Sequence, residues 1–171
     1  MISDTKVVAI GGGTGLSTML KGLKLHTHNI TAVVTVADDG GSSGILRSDL
    51  GMLAPGDVRN CVSALAEVDP VMGELLNFRF KDGSLKGHSL GNLFLAALNE
   101  TSSSFDEAVK KFSHLAGVVG TVYPVTNESV TLSALLEDGR LIEGESHIGV
   151  HHDGPKNGIV KLMVNPEKPK E

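Results

Sequence analysis

The sequence has few of the residues on which several classes of protein depend. Its only cysteine, Cys61, excludes an intrachain disulfide and a cysteine-based zinc cage, and it is expected to be a small buried hydrophobe. There is no tryptophan and one tyrosine, which argues against the aromatic platforms that stack single-stranded nucleic acids. No run of about 18 apolar residues predicts a membrane span. Asp4 and Lys6 interrupt the N-terminal segment, so no signal peptide is predicted.

The net charge and the length of the chain exclude further classes of protein. The formal net charge is −5, and Lys and Arg are scattered apart from a basic C-terminal tail, so no duplex-binding surface is predicted. A length of 171 residues with 40% hydrophobic content suits one domain with a substantial core. We therefore expect a single domain over residues 1–171, in the cytoplasm, without nucleic-acid or membrane partners.

The first part of the chain has the pattern of a βαβ unit. Residues 6–10 and 30–36 are short apolar runs typical of buried parallel strands. Between them, apolar residues recur at helical spacing over residues 15–25. The two strands are therefore expected to be parallel, with a right-handed crossover.

Further helices and then strands follow. Helices are predicted over residues 45–50, 58–68 with Asp57 as N-cap, 71–80, 90–100 and 105–115 with Ser104 as cap. Strands are predicted over residues 118–125, 130–136, 141–148 and 159–164, with a hairpin signal at residues 137–139. The expected fold class is α/β, with a Rossmann-like three-layer core around a parallel sheet and a C-terminal region rich in β-hairpins.

Two glycine-rich turns follow the first two strands. The first contains Gly11, Gly12, Gly13, Thr14 and Gly15, and the second contains Gly40, Gly41, Ser42 and Ser43. Glycine lets the backbone approach a ligand, and a helix that begins in such a turn favours bound anions. The first turn lacks the third glycine of the dinucleotide fingerprint and the lysine of a P-loop, so a purely structural turn remains the alternative. The two turns together favour a phosphate or nucleotide crevice.

Two adjacent carboxylates, Asp38 and Asp39, close the second strand. Their side chains are expected to point in opposite directions, so that one faces the ligand. That carboxylate would accept a hydrogen bond from a sugar hydroxyl or hold Mg²⁺ beside phosphates. Capping of the following turn is the alternative.

Basic residues are candidates for the same crevice. Arg59 and Asn60 lie in the first turn of a predicted helix, where a cation is unfavourable, and this favours a ligand-directed role for Arg59. Arg47 could pair with a phosphate or extend from a helix into solvent, and the sequence favours neither alternative.

A polar segment, Gly87 to Gly91, matches the G-x-S-x-G pattern by letters. A polar turn precedes it where a nucleophile elbow needs a buried strand, so serine hydrolysis is not predicted. Instead, His88, Ser89 and Asn92 would present polar groups to a ligand at a helix start, with Ser89 as a plain cap the alternative. Residues 151–153, His-His-Asp, are expected to form a solvated loop and not a metal site.

Four motifs in order resemble those of the YvcK, or gluconeogenesis factor, family: GGGTGLSTMLKGLK, TAVVTVADDGGSSGILR, PGDVRN and GHSLGNLFLAALNE. The wider superfamily includes the CofD-type phospholactate transferases. The likeness extends to the later VYPVT and DGRLIEGES stretches. Members of this family are longer, and a Gly-Pro-Gly-Ser-type loop is expected after the tail, so the resemblance implies an N-terminal portion.

The resemblance also implies a function. It implies a Rossmann-like core and a cytoplasmic bacterial protein that binds UDP-N-acetylglucosamine without demonstrated catalysis, acting in cell shape and in growth on gluconeogenic carbon sources. The GGGTG, ADDGGSS, RN and HSLGN positions would line the ligand crevice. The alternative is a Mg²⁺-dependent transferase that moves a phospho-group, such as phospholactate, from a nucleotide to an alcohol. A homodimer and a regulatory protein partner are compatible with the sequence, which identifies neither.

Overall fold

A computed structural model describes residues 3–149 and 158–170. Its first unit is a parallel sheet of strands β1 (Val7–Gly11), β2 (Ile30–Val34) and β3 (Thr121–Pro124), in the order β1-β2-β3. Helix α1 (Thr14–Leu23) connects β1 to β2, as the predicted βαβ unit requires. The α/β fold class with a parallel sheet is confirmed.

Five helices lie between β2 and β3 in the chain. They are α2 (Gly41–Leu50), α3 (Gly56–Leu65), α4 (Pro70–Asn77), α5 (Leu90–Glu100) and α6 (Phe105–Leu115). The predicted cap of α6 is confirmed, since the Ser104 side chain accepts a hydrogen bond from the Glu107 amide. In none of the helices described is an apolar stretch long enough to cross a bilayer.

A second, antiparallel sheet follows β3. Strand β4 (Thr131–Leu136) pairs on one side with β5 (Leu141–Glu143) and on the other with β6 (Ile159–Asn165). A short helix, α7 (Glu145–Gly149), follows β5. The hairpin predicted at residues 137–139 is confirmed by the β4–β5 pairing.

The core lies on one face of the parallel sheet. Leu20, Leu65, Leu95 and Phe112 are fully buried there, each contributing about 1.5–3 kcal/mol through burial of apolar surface. Cys61 is also buried, and burial, followed by repulsion from Asp57, raises the pKa of its thiol to about 12. The thiol therefore packs as a small hydrophobe, as predicted.

The opposite face of the sheet is more open. Strand residues alternate between faces, and Val8 and Ile10 of β1 are 66% and 75% exposed while Ala9 between them is buried. Only every second residue of β1 therefore packs into the core.

Several predicted boundaries are wrong. Helix α2 begins at Gly41 and not at residue 45, because Gly41, with φ of 46°, turns the extended chain directly into a helix. Asp57 is not the N-cap of α3. The helix begins at Gly56, two residues before the predicted start, and Pro55 is at the cap position. The strand predicted over 141–148 ends at Glu143, because Gly144 has φ of 92° and α7 follows.

Candidate functional site

The starts of three helices meet at one polar cavity of about 160 Å³. First-turn residues of α2, α3 and α5 line it, together with residues that precede α2 and follow α4; the lining contains Asp38, Gly40, Gly41, Ser42, Ser43, Gly56, Asp57, Arg59, Asn60, Arg79 and Asn92. The positive ends of helix dipoles favour anions, and three of them act on this one space.

Two of these helices lack a side-chain cap. Gly40 precedes α2 and Pro55 precedes α3, and neither has a side chain that can accept from the first helical amides. Apart from the Gly56 amide, the first helical amides are left to solvent or to a ligand. The Gly56 amide donates to Ser43 Oγ at 3.1 Å, which ties the two helix starts together. A Cβ at Gly56 would lie 2.3 Å from that oxygen, so the close approach requires glycine.

A chain of mostly buried hydrogen bonds connects Ser42, Asn92 and Arg59, which line the cavity. Ser42 Oγ lies 3.0 Å from His88 Nδ1 and accepts from Asn92 Nδ2 at 3.1 Å. Asn92 Oδ1 in turn accepts from Arg59 Nε at 3.2 Å, and Arg59 Nη1 donates to Asn77 Oδ1 at 3.1 Å. Because each buried polar group has a partner, the network fixes the orientation of the Arg59 guanidinium.

Arg59 is a buried cation with only 7% of its surface exposed. Burial and then repulsion from Arg79 lower the pKa of its guanidinium, while attraction to Asp57 opposes them. A guanidinium remains charged under these conditions. The structure therefore places a fixed positive charge at the cavity.

Asp57 connects the first glycine-rich turn to Thr35, the residue after β2. Its Oδ2 accepts from the Thr35 hydroxyl at 3.2 Å, and the Gly13 amide also interacts with the carboxylate. Burial and then repulsion from Asp38 raise the pKa of Asp57, against the effects of Thr35, Gly13 and Arg59. The first turn thus contacts a protein carboxylate that belongs to the wall of the cavity.

The two adjacent carboxylates separate. Asp38 lines the cavity and accepts from the Gly40 amide at 2.9 Å. Asp39 accepts instead from the Ser146 amide of α7 at 2.8 Å. Burial opposes ionisation of Asp39, but the Ser146 hydrogen bonds and the nearby His147 outweigh it and lower the pKa of Asp39.

A metal site was expected at Asp38 and Asp39. Across residues 3–149 and 158–170, no group of three His, Cys, Asp or Glu side chains is placed to hold a metal ion. The two carboxylates that share the cavity are Asp38 and Asp57. The His-His-Asp sequence at 151–153 lies outside the described residues.

The structure does not bring every candidate residue to the cavity. Gly11, Thr14 and Gly15 do not line it, and Gly13 reaches it only through Asp57. Gly12 lines a neighbouring, mainly apolar cleft of about 420 Å³ together with Thr35 and Glu145. Burial, and then repulsion from Asp38, Asp57 and Asp39, raises the pKa of Glu145.

Arg47, His88 and Ser89 have structural contacts. Arg47 donates to Ser129 Oγ at 3.0 Å and to the Val130 carbonyl, so it lies neither at the cavity nor free in solvent. His88 contacts the cavity wall through Ser42, and Ser89 caps α5 by accepting from the Asn92 amide.

Sequence reasoning missed Asp57 and Arg79 as site residues. The sequence pattern predicts Asp57 only as a helix cap, although its position two residues before Arg59 also indicates a site residue. Arg79 was placed inside a helix predicted to reach residue 80, whereas α4 ends at Asn77. Arg79 instead pairs with Ser89 in an isolated antiparallel bridge within the α4–α5 connection.

A family model described as 2-phospho-L-lactate transferase CofD matches residues 7–171 of the chain. The chain belongs to this family. A protein of Thermoanaerobacterium thermosulfurigenes is 57% identical over 169 residues, which cover 99% of this chain and 52% of that protein. The gluconeogenesis factor of Bacillus subtilis strain 168 is 48% identical over 95% of this chain and 50% of its own length. The resemblance to gluconeogenesis factors is confirmed.

A solved structure gives the same result for the fold. A protein from Bacillus halodurans, described as a member of the UPF0052 family, is 43% identical with a TM-score of 0.88, over 97% of this chain and 53% of that chain. This chain of the CofD family thus spans about half the length of the relatives that it matches.

Proposed function

We propose that this chain binds the phosphate groups of a nucleotide sugar, UDP-N-acetylglucosamine, as part of a cytoplasmic regulatory protein of the gluconeogenesis factor type. The observation that carries the proposal is the meeting of three helix N-termini and a buried arginine at one cavity. Such a site favours anions over neutral ligands. The regulatory role in cell shape and in growth on gluconeogenic carbon sources is what the family resemblance implies. The name gluconeogenesis factor, carried by a relative, supports the second part of that role.

The size of the cavity limits which part of the ligand it takes. A volume of about 160 Å³ is below the roughly 300 Å³ at which small-molecule sites usually begin. The cavity therefore suits phosphate groups and not a whole nucleotide sugar. The neighbouring cleft of about 420 Å³ is mainly apolar and suits a base or an acetylated sugar. The two spaces adjoin where Thr35 hydrogen-bonds to Asp57.

The proposed mechanism is a shift between conformations. Phosphates would accept from the uncapped amides of α2 and α3, and Asp38 would accept from a sugar hydroxyl. A ligand that bridges the two helix starts and the apolar cleft stabilises the conformation that holds them together. A partner protein would then recognise that conformation. Catalysis is not required for this role.

Thermal shift tests the proposal. Saturating UDP-N-acetylglucosamine should raise the Tm of the chain, because a ligand that binds only the folded state stabilises it by mass action. N-acetylglucosamine without the diphosphate should give little change and is the matched control. An unchanged Tm with the nucleotide sugar at millimolar concentration would contradict the proposal.

A second candidate function is phospho-group transfer from a nucleotide to an alcohol, and the family model carries the name of such a transferase. The observation that favours it is that the Asp38 and Asp57 carboxylates both line the cavity. These two residues would hold Mg²⁺, which neutralises charge on a phosphate. Magnesium-dependent product formation that is lost in Asp38→Asn, but not in Asp39→Asn, would support transfer over binding alone.

A further inference from the structure

Two like-charged side chains, Arg59 and Arg79, line the same small cavity. We propose that they form a paired site for a diphosphate group, and that Arg79 sets the preference for a diphosphate over a single phosphate. The identity of the larger ligand rests on the proposed function, whereas the diphosphate assignment rests on the arginines themselves.

The hydrogen-bond partners of the Arg59 side chain are neutral. Two of its three nitrogens are engaged, Nε by Asn92 and Nη1 by Asn77, and both acceptors are neutral amides. Asp57 attracts the guanidinium, but Arg59 forms no ion pair among the residues that the structure describes. Buried charges in proteins are normally paired, because an unpaired charge is costly to desolvate. The remaining nitrogen, Nη2, is thus available to an anion in the cavity.

Arg79 lies in the α4–α5 connection and lines the cavity. Its Nη1 donates to the Gly87 carbonyl, and its backbone pairs with Ser89, the cap of α5. These contacts hold an otherwise exposed side chain beside the start of that helix. No ion pair of Arg79 is found within the described ranges either.

The two guanidinium groups are close enough for their charges to interact. After burial, the charge of Arg79 is the second cause that lowers the pKa of Arg59. Two cations and two carboxylates, Asp38 and Asp57, line this cavity of about 160 Å³. An anion placed between the guanidinium groups would relieve their mutual repulsion.

A diphosphate matches this arrangement better than one phosphate. Arg59 can donate to one phosphoryl group through Nη2, and Arg79 can donate to a second through the nitrogens that Gly87 does not engage. A diphosphate offers one group to each arginine, while the bridging region faces the uncapped amides of α2. A single phosphate can form close hydrogen bonds with only one of the two guanidinium groups.

Calorimetric titration of the chain with inorganic pyrophosphate and with inorganic phosphate tests the pair. The wild-type chain should bind pyrophosphate more tightly than phosphate. Arg79→Gln should weaken pyrophosphate binding by about tenfold or more, the usual effect of losing a charged hydrogen bond, and should bring the two anions closer together in affinity. Lys81→Gln, which removes an exposed positive charge that does not line the cavity, should change the pyrophosphate affinity less than about twofold.

The outcomes separate this inference from the proposed function. Wild-type affinity for pyrophosphate in Arg79→Gln, or no pyrophosphate binding by the wild-type chain, would overturn the arginine pair. If pyrophosphate binding depends on Arg79 but UDP-N-acetylglucosamine does not bind, the pair stands and the nucleotide-sugar function falls. If the nucleotide sugar binds equally to wild type and Arg79→Gln, the function stands and the pair falls. Circular dichroism confirms that both variants fold.

Discussion

The Asp57 carboxylate occupies the space into which a side chain at Gly13 would project. A Cβ built on Gly13 would lie 2.0 Å from Asp57 Oδ1 and 3.0 Å from the Asp57 Cα. This contact joins the first glycine-rich turn to the start of α3. The neighbouring Gly56 amide donates to Ser43 of the second turn, so the two turns are connected through the start of α3. The cavity is lined by residues of α2, α3 and α5.

Gly13→Ala should destabilise the fold because the added methyl group overlaps Asp57, including its backbone. We expect a loss of about 1–3 kcal/mol in the free energy of unfolding, measured by urea denaturation. Gly15→Ala is the matched control in the same turn, since nothing lies within 4 Å of its Cβ position. Alanine in that helical position should stabilise by up to about 1 kcal/mol. Equal effects of the two substitutions would show that the Gly13–Asp57 contact has no energetic importance.

Asp57→Asn should change how stability depends on pH. The pKa of Asp57 is raised above 3.8 by burial and then by Asp38, so its carboxyl binds a proton more tightly in the folded state than in the unfolded state. Its contribution to stability is therefore greatest below 3.8 and is lost as the pH rises through the raised folded-state pKa. Asparagine keeps one acceptor oxygen, and its NH2 group can donate to the Thr35 hydroxyl, but it does not titrate.

The measurement is the difference in free energy of unfolding between Asp57→Asn and wild type. This difference should become more favourable to the variant between about pH 3 and about pH 7. Taking the difference removes the opposing contributions of Asp39 and Asp106, whose pKa values are lowered. A difference that is constant with pH, or that changes in the opposite direction, contradicts the assigned environment of Asp57.

The local pattern of the sequence was sufficient for most of the fold and part of the site. The apolar runs at β1 and β2 and the helical spacing of α1 determine the βαβ unit, because both periodicities are local. The site depends on contacts that local patterns do not contain, such as Arg59 with Asn92, 33 positions apart. Asp39 illustrates the same limit: its partner, Ser146, lies 107 positions away, so the sequence could predict that the two acids separate but not which one faces the cavity.

Asn92→Ala should be among the most destabilising polar substitutions in the chain. It removes the acceptor of Arg59 Nε and the donor to Ser42 Oγ, and both of these groups are buried. A buried donor or acceptor that loses its partner costs about 1–3 kcal/mol in the free energy of unfolding. Asn99→Ala, in the last turn of the same helix, has no such contact and should change stability by less than about 0.5 kcal/mol. Urea denaturation measures the free energy of unfolding of both variants. Similar losses of stability at the two positions would argue against a rigid hydrogen-bond network around Asn92.

Arg47→Met should loosen the connection between α2 and the second sheet, because this guanidinium donates to Ser129 Oγ and to the Val130 carbonyl just before β4. We expect a loss of about 1–3 kcal/mol in the free energy of unfolding and faster hydrogen exchange in β4. Arg47→Lys should recover only part of the loss, since an ammonium cannot reproduce the planar fork. Arg140→Met, which removes an exposed ion pair with Asp138, should cost less than about 1 kcal/mol. Unchanged exchange in β4 of Arg47→Met would mean that Arg47 does not hold the two parts together, and its interpretation as a phosphate ligand would then regain support.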